Sequence, residues 1–139
     1  MVTQTYFIDT SFLCAFFNRL DSNHSQARDL HKSIIRNQNL QFIITDYIFD
    51  EFATLLIKRA TKNLAIQYCR SLLNDPLFTL FEINQDVFFE AWHLFKRTKD
   101  KLWSFTDCTS FVVIQELNIQ TALSFDRHFK QFGIEVLPH

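Results

Sequence analysis

The sequence is poor in the residues that form tight turns, because its 139 residues include one glycine and two prolines. A β-sandwich or β-barrel needs many turns that depend on these residues, so the composition argues against both architectures. The glycine-rich loops that cradle phosphates in dinucleotide-binding and P-loop folds each need several glycines and are excluded. Any site for a phosphate group must therefore be built in another way.

Cysteine is also scarce. Cys14, Cys69 and Cys108 lie far apart and form no C-x-x-C pair. This spacing argues against a disulfide framework and against a zinc finger, and reduced thiols in a cytoplasm are expected instead.

The sequence has no large excess of either positive or negative charge, since the formal net charge is −1. Contact with nucleic acid would have to use local basic patches.

Long apolar runs are missing. The longest, residues 12–17, is far shorter than the ~20 residues of a membrane span. Residues 1–5 contain no basic segment, and Asp9 interrupts the first apolar stretch. We therefore predict neither a signal peptide nor a membrane partner, and we expect a cytoplasmic protein.

What the chain does contain is typical of one globular domain. It is 47% hydrophobic and 21% charged, and its length matches a single domain over residues 1–139. Its 17 phenylalanines exceed what a small core usually needs. Part of this aromatic surface is expected to meet a partner, in a homodimer or in a groove for another protein.

Short apolar segments alternate with amphipathic ones, which predicts an α/β fold with a parallel sheet covered by helices on both faces. Strands are predicted at residues 6–8, 42–44, 78–83, 121–125 and 134–137. Helices are predicted at residues 10–17, from 21–22 onward, and at 45–59, 64–73, 87–98, 106–117 and 127–131. Asn118 is predicted to be the left-handed residue after the sixth long helix. In such sheets, ligands bind beyond the carboxyl ends of the strands.

Four acidic residues occupy positions where such a fold presents a site. Asp9 and Asp126 each follow an apolar strand, and Asp107 lies near the start of a helix. Glu51 lies on a helix face that is otherwise apolar, where a carboxylate destabilises the fold unless a cation or hydrogen bonds compensate its charge. Because its neighbours on that face are apolar, Glu51 rather than the adjacent Asp50 is predicted to point inward to the site.

Each acid also has a structural explanation. Asp9 and Asp126 are suited to capping the turns that follow them, and Asp107 suits a helix first turn. Glu51 can pair with Lys58 or another cation. The four together favour a site, because converging carboxylates repel unless a cation compensates them. Oxygen ligands without a cysteine or histidine cluster indicate Mg²⁺ or Mn²⁺, which serve phosphodiester chemistry.

The four acidic motifs, taken in order, resemble those of the PIN-domain ribonucleases, and most closely the VapC-type toxins of bacterial toxin–antitoxin pairs. They comprise residues 7–11, 45–51, 104–108 and 122–129. The resemblance implies a single PIN-like nuclease domain with strand order 3-2-1-4-5. It also implies metal-dependent endonucleolytic cleavage of RNA and inhibition by a cognate antitoxin.

Residues beside the acids are candidates for auxiliary roles. Thr10, Ser11 and Ser124 are suited to positioning a water or a metal, although helix capping also explains Thr10 and Ser11. Arg127 directly follows Asp126 and is a candidate phosphate contact. His128 is a possible substrate contact, but no histidine is needed as a base when a metal activates water.

The leading hypothesis is a Mg²⁺- or Mn²⁺-dependent endoribonuclease whose catalytic, metal-binding residues are Asp9, Glu51, Asp107 and Asp126. The main alternative is a catalytically silent module that binds RNA or an antitoxin. The absence of one or more of the four acidic residues would favour this alternative. A phosphoryl-transfer enzyme with Asp9 as nucleophile is a third, but Ser11 stands where such enzymes usually carry a second aspartate.

Overall fold

The computed structural model of the chain describes residues 3–37 and 39–139. Strands and helices alternate along them. The strands are β1 (Gln4–Ile8), β2 (Leu40–Thr45), β3 (Phe78–Phe81), β4 (Thr121–Leu123) and β5 (Glu135–Leu137). The helices are α1 (Thr10–Phe17), α2 (His24–Ile34), α3 (Asp46–Arg59), α4 (Lys62–Asn74), α5 (Gln85–Arg97), α6 (Phe105–Glu116) and α7 (His128–Phe132).

The five strands form one parallel sheet in the order β3-β2-β1-β4-β5. The predicted fold class and strand order are thus confirmed. In the central strand β1, Phe7 is paired with Ile43 of β2 and with Ala122 of β4. Because β1 and β4 are parallel neighbours, the residues that follow them emerge at the same edge of the sheet.

The core lies on both faces of the sheet, as the nearly continuous apolar strands predict. Phe7, Phe42 and Phe111 are among its largest fully buried side chains. Helix α6 is buried along its length, from Asp107 to Ile114. A helix surrounded by protein in this way gives its first turn a fixed position.

Two predicted strands end earlier than their apolar runs, because side chains capture backbone N–H groups. In β4 the ladder stops at Leu123, and the N–H of Phe125 donates to Ser11 Oγ at 2.9 Å. In β3 the strand stops at Phe81, and the N–H of Ile83 donates to Asp46 Oδ1 at 2.9 Å. The hydrophobic pattern of a sequence does not reveal such hydrogen bonds between a backbone N–H group and a side chain that is distant in the chain.

Helix ends follow local hydrogen bonds. Helix α2 begins at His24 rather than at residues 21–22, because Asp21 Oδ1 accepts from the N–H of Asn23 and holds a turn there. Asn118 has a φ of 52°, as predicted for the residue after α6. Gly133, the single glycine, ends α7 at a φ of 101°, a conformation that few other residues adopt.

The exposed aromatic surface lies on α5. Phe88, Phe89, Trp92 and Phe95 are each about two-fifths exposed. None of the helices in the described part of the chain combines the length and the hydrophobicity that spanning a bilayer requires.

Candidate metal centre

Asp9 lies at the carboxyl edge of the sheet, directly after β1. Its backbone N–H donates to the carbonyl of Leu123 at 3.0 Å, which extends the contact between β1 and β4 by one residue. Asp9 is only 4% exposed. It is the residue before α1, yet its side chain makes no capping hydrogen bond. Helix capping therefore does not explain this aspartate.

Two serine hydroxyls bind one oxygen of Asp9. Ser11 Oγ donates to Asp9 Oδ2 at 2.7 Å, and Ser124 Oγ donates to the same oxygen at 2.9 Å. Each hydroxyl in turn accepts a backbone N–H at 2.9 Å, Ser11 from Phe125 and Ser124 from Asp126. This network fastens the loop that carries Asp126 to the carboxylate of Asp9.

The negative charge of Asp9 has little compensation. The pKa of Asp9 is raised from 3.8 to about 6, mainly by burial and to a smaller extent by the charges of Asp107 and Asp126. The two serine hydrogen bonds act in the opposite direction and lower the pKa. The three carboxylates are therefore close enough to repel one another.

Asp107 occupies the first turn of α6 and takes part in a capping box. Its N–H donates to Ser104 Oγ at 2.9 Å, and its Oδ2 accepts from the N–H of Ser104 at 3.1 Å. Asp107 therefore does cap its helix, as its structural explanation predicted. The capping box occupies only Oδ2 of the carboxylate, and the same oxygen also lies 2.8 Å from Nδ1 of His128.

Asp126 lies in the loop between β4 and α7. Its Oδ1 accepts from the N–H of His128 at 3.0 Å, so it does cap the turn that follows. The same Oδ1 lies 3.4 Å from His128 Nδ1. The imidazole of His128 thus lies between the carboxylates of Asp107 and Asp126.

The three aspartates share one pattern: protein donors hold one carboxylate oxygen and leave the other free. The free oxygens are Oδ1 of Asp9, Oδ1 of Asp107 and Oδ2 of Asp126, for which the described residues provide no donor. Fully enclosed side-chain oxygens without a partner are found, within the described part of the chain, at Thr10 and Ser110 only. The free carboxylate oxygens are therefore open to a ligand.

Glu51 lies apart from this cluster, on α3. It is half-buried, whereas the adjacent Asp50 is exposed. The described residues give it neither a hydrogen bond nor an ion pair, so the expected alternative of a pair with Lys58 is wrong. Helix α3 packs against α1, which directly follows Asp9, and against α6, whose first turn contains Asp107.

The remaining candidate residues, Thr10 and Arg127, directly follow Asp9 and Asp126 in the chain. Thr10 is buried, and its Oγ1 has no partner. Arg127 is exposed and lines two cavities, of which the first is also lined by Asp126. One, of about 250 Å³, also includes Lys130. The other, of about 230 Å³, includes Lys101 and His128.

His128 is the site residue whose position the sequence analysis did not foresee. One ligand atom from each of Asp107, Asp126 and His128 lies within 4.8 Å of the others, a grouping that can hold a metal ion. The structure thus places one histidine beside the acidic residues that the sequence analysis expected to act without a histidine cluster. The available signal was the spacing Asp126-x-His128, which a turn folds back onto its own aspartate.

Comparison with known proteins identifies the family of this chain. The sequence profile of the PIN domain family matches residues 6–135. A curated relative, the 23S rRNA-specific endonuclease VapC20 of Mycobacterium tuberculosis, is 30% identical over 133 residues, which cover 95% of this chain and 98% of the relative. A VapC ribonuclease of Archaeoglobus fulgidus is 26% identical over 123 residues, 88% of this chain and 77% of the relative.

Solved structures give the same result. The crystal structure of Mycobacterium tuberculosis VapC20, described as a Sarcin-Ricin loop cleaving toxin, has a TM-score of 0.84 at 28% identity, covering 93% of this chain and 95% of that one. Rickettsia felis VapBC2, bound to promoter DNA, has a TM-score of 0.69 at 13% identity, covering 96% and 97%, and shows the fold alone. The chain therefore belongs to the PIN domain family, as the order of its acidic motifs predicted.

Proposed function

We propose that this protein is a metal-dependent endoribonuclease that acts as the toxin of a toxin–antitoxin pair. The observation that carries the proposal is the set of three aspartates with one anchored and one free oxygen each. Membership of the PIN domain family, with relatives named as ribonucleases, supports the same activity. A binding-only module would have no use for three carboxylates held close together at a cost in repulsion.

A divalent cation fits the donor set. Asp9, Asp107 and Asp126 offer oxygens only, and within the described residues no lysine or arginine pairs with any of them. Carboxylate oxygens are the ligands that Mg²⁺ and Mn²⁺ prefer. We therefore assign the free oxygens of these aspartates to Mg²⁺ or Mn²⁺, with Glu51 as a further ligand or as the group that orients the attacking water.

When bound, such an ion activates water and neutralises charge on the phosphate. The residues of the chain supply the geometry. Ser11 and Ser124 fix Asp9, and the capping box fixes Asp107 at the start of a buried helix. In-line attack by water would leave a 5′-phosphate and a 3′-hydroxyl.

Arg127 supplies the charge that an RNA strand needs beside an acidic centre. It makes no ion pair within the described part of the chain, and it lines one cavity together with Asp126 and a second together with His128. A cation in this position is suited to a phosphate next to the scissile one. Because the VapC20 relative is named for 23S rRNA, ribosomal RNA is the first substrate to test.

A cognate antitoxin and a second copy of the chain are the proposed protein partners. The likeness to VapBC complexes supports the antitoxin, and the aromatic face of α5 is available to a homodimer. Both proposals are separate from the chemistry of the site.

Incubation of the purified protein with intact 23S rRNA and with a defined RNA oligonucleotide tests the activity. We expect discrete cleavage with Mg²⁺ or Mn²⁺, none in EDTA, and a loss on the order of 10²-fold or more in Asp107→Asn. Glu116→Gln, which changes an exposed acid at the far end of α6, is the matched control. Cleavage that persists in excess EDTA would contradict the metal dependence.

A further inference from the structure

The hydrogen bonds of His128 define a role for it that the carboxylates alone do not explain. Its Nδ1 lies 2.8 Å from Oδ2 of Asp107, and its backbone N–H donates to Oδ1 of Asp126 at 3.0 Å. A carboxylate oxygen accepts hydrogen bonds and cannot donate them, so Nδ1 carries a proton in this arrangement. Nδ1 therefore has no lone pair for a metal, and the lone pair of Nε2 points away from the ring on another side than the carboxylate oxygen that Nδ1 faces.

Both contacts of His128 fall on the anchored side of the carboxylates. Oδ2 of Asp107 is the oxygen that the capping box also binds, and Oδ1 of Asp126 is the one that closes its turn. The oxygens left free are the opposite ones. His128 therefore joins α6 to the loop before α7 from behind the face that the free oxygens present.

We propose that His128 is a positioning residue, which holds Asp107 and Asp126 at the separation and rotation that the cation requires and does not coordinate the cation itself. The inference rests on the proposed function in treating the aspartates as a cation site. Outer hydrogen bonds of this kind typically change metal affinity by about 10- to 100-fold when removed.

The test measures Mn²⁺ affinity at about pH 8. In free solution at this pH an unperturbed carboxylate is ionised, and an unperturbed imidazole is neutral with one N–H group. Wild type, His128→Ala and His128→Asn are compared by electron paramagnetic resonance. Asparagine places an amide N–H group close to the position of Nδ1, so it keeps the donor to Asp107 and loses the ring. His93→Ala, at an exposed histidine of α5, is the matched control.

We expect the Mn²⁺ dissociation constant to rise on the order of 10-fold or more in His128→Ala and to stay near wild type in His128→Asn and His93→Ala. RNA cleavage by His128→Ala should recover as the Mn²⁺ concentration is raised, because the substitution weakens Mn²⁺ binding and removes no group that takes part in the reaction. Pulsed spectra of the wild type should lack the nitrogen coupling of a directly bound imidazole.

Three results would overturn the inference: unchanged Mn²⁺ affinity in His128→Ala, equal weakening in the alanine and asparagine variants, or a bound-imidazole coupling in the wild type. The last two would make His128 a ligand. Absence of Mn²⁺ binding to the folded wild type would remove the proposed function together with this inference, whereas normal binding in His128→Ala would remove the inference alone. Circular dichroism confirms that each variant is folded.

Discussion

The two halves of the site hold their carboxylates by different means. In the Asp9 corner, made of Asp9, Ser11 and Ser124, neutral hydroxyls bind the carboxylate. In the His128 corner, made of Asp107, Asp126 and His128, an imidazole lies between two carboxylates. Each serine hydroxyl binds the oxygen of a single carboxylate, whereas the imidazole ring contacts the oxygens of two.

The difference has an electrostatic consequence. Asp9 is buried behind neutral donors, and burial raises its pKa to about 6. A bound cation would offset this buried charge, because no lysine, arginine or histidine among the described residues forms an ion pair with Asp9. Ser124 joins the two corners, because its hydroxyl donates to Asp9 and accepts the N–H of Asp126.

Glu51 belongs to neither corner, and the largest effect is expected there. Glu51→Gln should reduce single-turnover RNA cleavage on the order of 10²-fold or more, as for loss of a positioned acid–base group. Asp50→Asn, one residue away and exposed, should cost little. If Asp50→Asn were the inactive variant, the assignment of the helix face would be wrong while the two corners remained.

The second prediction isolates the buried charge of the Asp9 corner in the metal-free protein. Because the pKa of Asp9 is higher in the folded than in the unfolded chain, protonated Asp9 favours folding below about pH 4, and this contribution is lost as the pH rises through about 6. Asp9→Asn cannot ionise and should be more stable than wild type at about pH 8, by up to about 3 kcal/mol.

Urea unfolding in EDTA across this pH range measures the difference in free energy of unfolding. The advantage of Asp9→Asn should shrink toward zero as the pH falls to about 4. Asp50→Asn is the control for a change of net charge at an exposed position. Parallel pH profiles for wild type and Asp9→Asn would show that Asp9 is not the destabilising group.

The serines test whether the corners are coupled. Ser11→Ala removes a donor to Asp9 and the acceptor for the N–H of Phe125. Ser124→Ala removes a donor to Asp9 and also releases the N–H of Asp126. Both should lower cleavage by about 10- to 100-fold, with the larger loss in Ser124→Ala.

Single-turnover rates at saturating Mg²⁺ give this ranking, with the exposed Ser71→Ala as control. A larger loss in Ser11→Ala than in Ser124→Ala would mean that the Asp9 corner works without its link to Asp126.

The sequence predicted the parts of this site that depend on local pattern. Apolar runs located the strands, and parallel strands end at one edge of a sheet. The strand order implied by the resemblance to PIN-domain ribonucleases then placed the strands before Asp9 and Asp126 side by side. The position of His128 depends instead on a turn that folds it onto Asp107, 21 residues away in the chain. Local pattern carries no information about such a contact, nor about which oxygen of each carboxylate is anchored.

The exposed aromatic side chains show the same limit. Composition indicated a surplus of phenylalanine, and the structure locates exposed aromatic residues on α5. Periodicity could not locate these residues on the surface, because an apolar stripe looks the same whether it faces the protein or a partner.

The most direct test of the central claim is the position of the cation. Crystals grown with Mn²⁺ and measured for anomalous scattering should show a peak bound by Oδ1 of Asp9, Oδ1 of Asp107 and Oδ2 of Asp126, at about 2.1 Å as is usual for small divalent ions. A peak on the anchored oxygens, or one that contacts none of these aspartates, would contradict the account.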